Sequence, residues 1–294
     1  MYGKIYMEMI SMRKIKIIVD STCDLPKDLV SQYDIEVVPL SVNFSDATYY
    51  DGKTITTKEL YKLVQEKNEL PKTAAVTPGE LFLTFEQYID EGYDIIFTGI
   101  GSSMSKSYEN AVLMSKEFPE GRIEVVDSMN LSTGIGLLVL KACEWREEGK
   151  NVHEIAELMR ETVPYVRSQF VIDTMEYLHK GGRCSGVIRL VGTILKIKPI
   201  IEVREGKMEV GAKPRGKIEF GLDKLAEMLA ADASNIDLDA VFITHSNAHK
   251  SCEYLTEKVE EIVPAANILV AEAGCVISTH CGPGTIGVLY ILKH

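Results

Sequence analysis

Three segments of this chain, IKIIVD (15–20), DIIFTGI (94–100) and IEVVD (123–127), are apolar almost without interruption. A strand with one solvated face alternates apolar and polar residues, so such runs predict strands covered on both faces. Between them lie segments of helical period, such as TTKELYKLVQEKN, where Leu60, Leu63 and Val64 share one face. Strands covered on both faces and alternating with helices define an α/β protein with a mostly parallel sheet.

The same reading extends along the chain. LPKDLVSQYD (25–34) is expected to be a helix with Pro26 near its first turn. IEVVPLSVNF (35–44) reads as one strand, and residues 77–92 and 106–118 read as helices. A long apolar helix is expected over about 133–148. After the polar stretch EEGKNVHE (147–154) the pattern changes, with a helix over 155–167, short strands around 204–217, and strands at VFITHS, NILVAEA and VLYILKH. A boundary near 160 therefore divides the chain into an N-terminal extension (1–14), an α/β domain (15–160) and a second α/β domain (161–294).

Composition removes several function classes. The 294 residues carry 32 Lys and Arg against 43 Asp and Glu, a net charge of −11. Phosphate backbones need clustered cations, so a nucleic-acid partner is not expected. Lys4 and Glu8 interrupt the start of the chain, which has no apolar core of signal-peptide length. No run is long enough to span a membrane. Cys23, Cys143, Cys184, Cys252, Cys275 and Cys281 form no CxxC pair, so neither a disulfide framework nor a zinc site is expected. Reduced thiols without a leader give a cytoplasmic location as the expectation.

Two motifs mislead. Gly282-Pro283-Gly284-Thr285-Ile286-Gly287 matches G-x-G-x-x-G, but it precedes a strand and opens no helix, so a dinucleotide site fails. His245 and His249 stand four apart without the glutamate of H-E-x-x-H, and an ordinary loop explains them better than a metal. Neither a serine nucleophile elbow nor a Walker A loop is present.

Four segments place hydroxyls, glycines and single cationic or imidazole groups near strand ends or turns, where α/β sheets bind ligands. They are KTAAVTP (72–78), GSSMSKSY (101–108), LHKGGRCS (178–185) and ISTHCGPGTIG (277–287). Hydroxyls at a helix start suit an anion and equally suit plain capping. Arg183 can fork onto a carboxylate or phosphate, or sit solvated in a surface turn. His280 reads as a ligand-binding group or as a buried structural imidazole. Val187, Leu190, Val191, Ile194 and Ile197 recur at helical spacing, as a packed core or as the wall of an apolar slot.

Taken in order, IKIIVDSTCDLP, KTAAVTPGEL, GSSMSKSYENA, VVDS, LHKGGRCSG, LKIKPI and THCGPGTIG resemble the signature segments of the DegV family, and the resemblance covers essentially the whole chain from about residue 15. It implies a two-domain α/β fold with a fatty acid in an apolar tunnel, and a likeness to the fatty-acid-binding subunits of bacterial fatty acid kinase. In that scheme a separate ATP-binding subunit phosphorylates the bound acid to acyl-phosphate for phospholipid synthesis. By the same resemblance the carboxylate is held by Thr73, Ser102 and His280, and Arg183 serves the head group or phosphate. The sequence departs from the family in two blocks, TAAVT (73–77) and GSSMSKSY, where Lys106 stands at a family glycine.

The expectation is thus a lipid-binding subunit with no cofactor, metal or catalytic residue of its own. Its partners would be a long-chain (C14–C18) acid and a kinase subunit, with transient contact at a membrane surface allowed. The competing expectation rests on a likeness to the substrate-binding domain of dihydroxyacetone kinases, in which a histidine bonds covalently to a ketone. His280 would then make the chain a small-carbonyl-binding enzyme.

Overall fold

The apolar runs Ile15–Asp20 and Asp94–Gly99 become covered strands, with helices supplying the cover, whereas Ile123–Asp127 lies at a sheet edge and buries only Val126. A computed structural model describes residues 13–182 and 197–293. Arg183 and most of the apolar stretch 187–199 lie outside the described residues. The first part of the chain runs β1 (Ile15–Asp20), α1 (Lys27–Gln32), β2 (Glu36–Val38), β3 (Ser41–Asn43), β4 (Thr48–Tyr50), α2 (Thr57–Lys67), β5 (Lys72–Ala74), α3 (Pro78–Asp90), β6 (Asp94–Gly99), α4 (Ser107–Ser115), β7 (Ile123–Asp127) and α5 (Thr133–Glu147). The remainder runs α6 (Val152–Thr162), β8 (Val166–Val171), α7 (Glu176–Gly181), β9 (Ile200–Arg204), β10 (Lys207–Ala212), α8 (Ile218–Asp232), β11 (Ile236–Ser246), α9 (His249–Glu260), β12 (Ile268–Glu272), α10 (Cys275–Cys281) and β13 (Thr285–Leu292).

Strands β2-β1-β6-β7 form a parallel four-stranded sheet. Strands β10-β9-β8-β13-β11-β12 form a six-stranded sheet in which β11 and β12 pair parallel and the other neighbours antiparallel. A small antiparallel sheet, β4-β3-β5, brings Thr73 opposite Val42. Among the described residues no helix is long and apolar enough to cross a membrane.

Helix α5 joins the two large sheets. Its apolar residues do not keep to one stripe, and such a helix must be covered all round. Ile135, Leu138 and Val139 are buried in one core cluster with Ile17, Val19 and Ile96 of the parallel sheet and Phe242, Leu289 and Ile291 of the mixed sheet. Gly134 lets the helix start lie against the mixed sheet, because a Cβ there would come 2.5 Å from Ser168 Oγ. Two capping boxes, Thr56 with Glu59 and Thr77 with Glu80, set the starts of α2 and α3.

The elements depart from the sequence reading at two prolines. Residues 35–44 are two strands in two different sheets, since Pro39 between them has no N–H for a ladder. The helix expected to run to 167 ends at Thr162, and Pro164 sits in a short 3-10 turn before β8 begins at Val166.

Candidate functional site

Ligands of parallel sheets bind beyond the carboxyl ends of the strands. Here Ile100 and the loop after β6 form part of a cavity of about 390 Å³ whose other walls come from α10 and the mixed sheet. Three buried carboxylates hold its backbone walls in place. Asp20 accepts from the Thr22 amide and hydroxyl and, at 3.0 Å, from Ile100 N–H. Asp24 accepts from the Ser132 hydroxyl and from Gly274 N–H at 2.9 Å. Asp51 accepts from Cys275 N–H at 2.6 Å, Val276 N–H at 3.3 Å and the Ser21 hydroxyl at 3.0 Å. Burial lifts Asp20 from 3.8 to about 6, and also raises Asp24 and Asp51 above the ordinary carboxylate range. Sequence reading passed over these three; the one visible signal was the DSTCD run that closes β1.

Part of the cavity lining is polar. Thr73 Oγ1 and His280 Nε2 share a hydrogen bond of 2.8 Å across 207 residues of sequence. Thr73 lies on β5 and His280 on α10, so a strand and a helix stand where the sequence suggested turns. Ser102 lines the same cavity from the loop between β6 and α4. Its backbone N–H donates to Asp127 Oδ1 at 3.1 Å, which also accepts from Met129 N–H. Ser107 and Asn110 tie the two loops together, through Val76 N–H to Ser107 Oγ at 3.3 Å and Asn110 Nδ2 to Val76 O at 2.9 Å.

Other hydroxyls of the wall are already engaged. Thr244 bonds Thr133 at 2.6 Å, Ser246 bonds Tyr61 and Ser278, Ser132 donates to Asp24, and Thr285 donates to Cys281 O. Ser103 donates to Gly206 O, and Ser105 bonds Ser107. Among the described serine and threonine residues lining the cavity, only Ser102 has a hydroxyl without a partner, which leaves it available to a ligand. The rest of the lining includes Ile100, Leu131, Phe170, Leu178, Met208 and Leu289. A largely apolar cavity whose wall carries Thr73, Ser102 and His280 can seat an amphiphile that carries one anionic end.

The glycines of the third and fourth segments have local reasons. A Cβ at Gly181 would come 2.5 Å from His280 Nδ1, so the ring packs on bare backbone there. Gly282 and Gly284 have φ of +80° and +83°, which explains the G-x-G pattern as a turn between α10 and β13. Replacing Gly181 by alanine is expected to displace the His280 ring by about 1 Å, to an ordinary contact distance, and to break its bond to Thr73. Ring-nitrogen NMR shifts of His280 check this, and unchanged shifts would mean the ring has room to spare. His245 and His249 meet edge to face at 4.9 Å, and burial, then His249, lowers the His245 pKa. Among the described residues no group of three His, Cys, Asp or Glu could hold a metal ion. Arg183 is outside the described residues.

Fold and cavity together define an α/β protein with a largely apolar cavity lined in part by hydroxyls and an imidazole. A family model described as "Uncharacterised protein, DegV family" matches residues 14–293, and the chain belongs to the DegV family. A DegV domain-containing protein of Clostridium acetobutylicum is 36% identical over 292 residues, covering 96% of this chain and 100% of its own. A Thermus thermophilus DegV family structure described as fatty acid binding has a TM-score of 0.89 and 31% identity, over 95% of this chain and 99% of that one. DegV of Bacillus subtilis, described as a fatty acid binding protein, has a TM-score of 0.85 and 27% identity, over 96% of this chain and 100% of that one.

Proposed function

We propose that this chain binds a long-chain fatty acid by its carboxylate and presents it to a separate ATP-dependent kinase subunit, which converts it to bound acyl-phosphate for phospholipid synthesis. The carboxylate is held by Thr73, Ser102 and His280, Arg183 attends the head group, and the cavity lies where domains 15–160 and 161–294 meet. The observation that carries the reading is a cavity wall shared by the free Ser102 hydroxyl and the Thr73–His280 pair, where the other hydroxyls are already hydrogen-bonded and the rest is largely apolar. The fatty acid binding described for the Thermus thermophilus and Bacillus subtilis proteins supports it. Each buried methylene contributes about 0.8 kcal/mol before association costs, so a tail of roughly C14–C18 supplies most of the affinity. The head-group contacts set which end faces out.

The test is denaturing extraction of protein purified from bacteria, with lipid mass spectrometry, followed by incubation with ATP and a bacterial fatty acid kinase subunit. Near-stoichiometric long-chain acid and trapping of acyl-phosphate by hydroxylamine are expected. Protein that carries and takes up no long-chain acid overturns the binding step. Bound acid that no kinase subunit phosphorylates overturns the presentation step.

A further inference from the structure

Lys106 is the only lysine or arginine among the described residues lining the cavity, in a protein whose net charge is −11. It closes the loop that carries Ser102, and its ammonium lies 2.8 Å from Glu109 Oε1, one turn into α4. The lysine side chain is 76% exposed and that of Glu109 42%. An ammonium has three N–H donors, of which Glu109 takes one. The pair is neutral overall, so it offers little to a singly charged carboxylate and more to a doubly charged phosphate. From this geometry we infer that Lys106 is a specificity residue of the cavity, selecting long-chain ligands that end in a phosphate over those that end in a carboxylate. Glu109 limits that preference by occupying one of the ammonium's donors and offsetting its charge. The inference rests on the fatty-acid reading of the cavity and assigns the state of the ligand that the cavity holds more tightly.

Hexadecyl phosphate and hexadecanoate, each competing against a fluorescent long-chain acid on delipidated protein, test it. At about pH 7.5 an alkyl phosphate carries nearly two charges. Lys106→Gln is expected to weaken hexadecyl phosphate about tenfold and hexadecanoate less than about threefold. Glu109→Gln frees the lysine and is expected to tighten both ligands. Equal factors for the two ligands in Lys106→Gln, or looser binding of both in Glu109→Gln, overturn the assignment. A wild-type protein that binds neither ligand overturns the fatty-acid reading and this inference with it. Normal hexadecanoate binding with an unchanged phosphate-to-carboxylate ratio in Lys106→Gln overturns the role of Lys106 alone.

Discussion

Replacing Thr73 and Ser102 together by alanine is expected to weaken long-chain acid binding by roughly two to four orders of magnitude while leaving the fold intact. A hydrogen bond to a charged group is worth roughly 1.5–3 kcal/mol, and the double variant removes two. Thr73→Ala also takes away the oxygen that His280 Nε2 meets at 2.8 Å, so the imidazole loses its orientation as well. Thr73 and Ser102 are only half-buried, on a short edge strand and a loop, so neither truncation opens a cavity in the core. The checks are acid retained after purification and the unfolding midpoint. Full acid content in a folded double variant removes both hydroxyls from the site.

A second large effect is expected at a residue that lies outside the cavity lining. Asp51→Ala leaves the amides of Cys275 and Val276 and the hydroxyl of Ser21 without their acceptor. Each buried donor left unpaired costs about 1–3 kcal/mol, so a loss of about 3–5 kcal/mol is expected once water fills part of the gap. For a chain of this size that is a fall of about 5–8 °C in the unfolding midpoint. The damage falls on the start of α10, the helix that carries His280. Asp51→Asn keeps one acceptor oxygen and is expected to lose less. Burial raises the Asp51 pKa and opposes its charge, while the donors of Cys275, Val276 and Ser21 work in the other direction. A wild-type midpoint in Asp51→Ala would show that α10 holds its place without this clamp.

Much of the fold was legible because its signals are local. Ile15–Asp20 and Asp94–Gly99 are buried along nearly their whole length, as uninterrupted apolar runs require. The helix at Thr133–Glu147 was expected because its apolar residues run without a polar face, and it lies between the sheets for the same reason. Pro39 and Pro164 are equally visible in the sequence, and each interrupts an element that periodicity alone would continue. The short strand at Lys72–Ala74 and the helix at Cys275–Cys281 gave no periodic signal, because three or seven residues are too few to show one.

Residue types at the site are also local information: hydroxyls, glycines and the imidazole of His280 stand in four short segments of the sequence. Their meeting is not. The Thr73–His280 bond spans 207 residues, and the carboxylates of Asp24 and Asp51 reach backbone more than 200 residues away in Gly274 and Cys275. Backbone dihedrals and side-chain period depend on neighbours a few positions apart, so the sequence by itself determined the long apolar strands, most helices and the chemistry available. Which hydroxyl stays free for a ligand, and which is consumed by the wall, depends on partners that only packing brings within about 3 Å, and that only the tertiary structure decided.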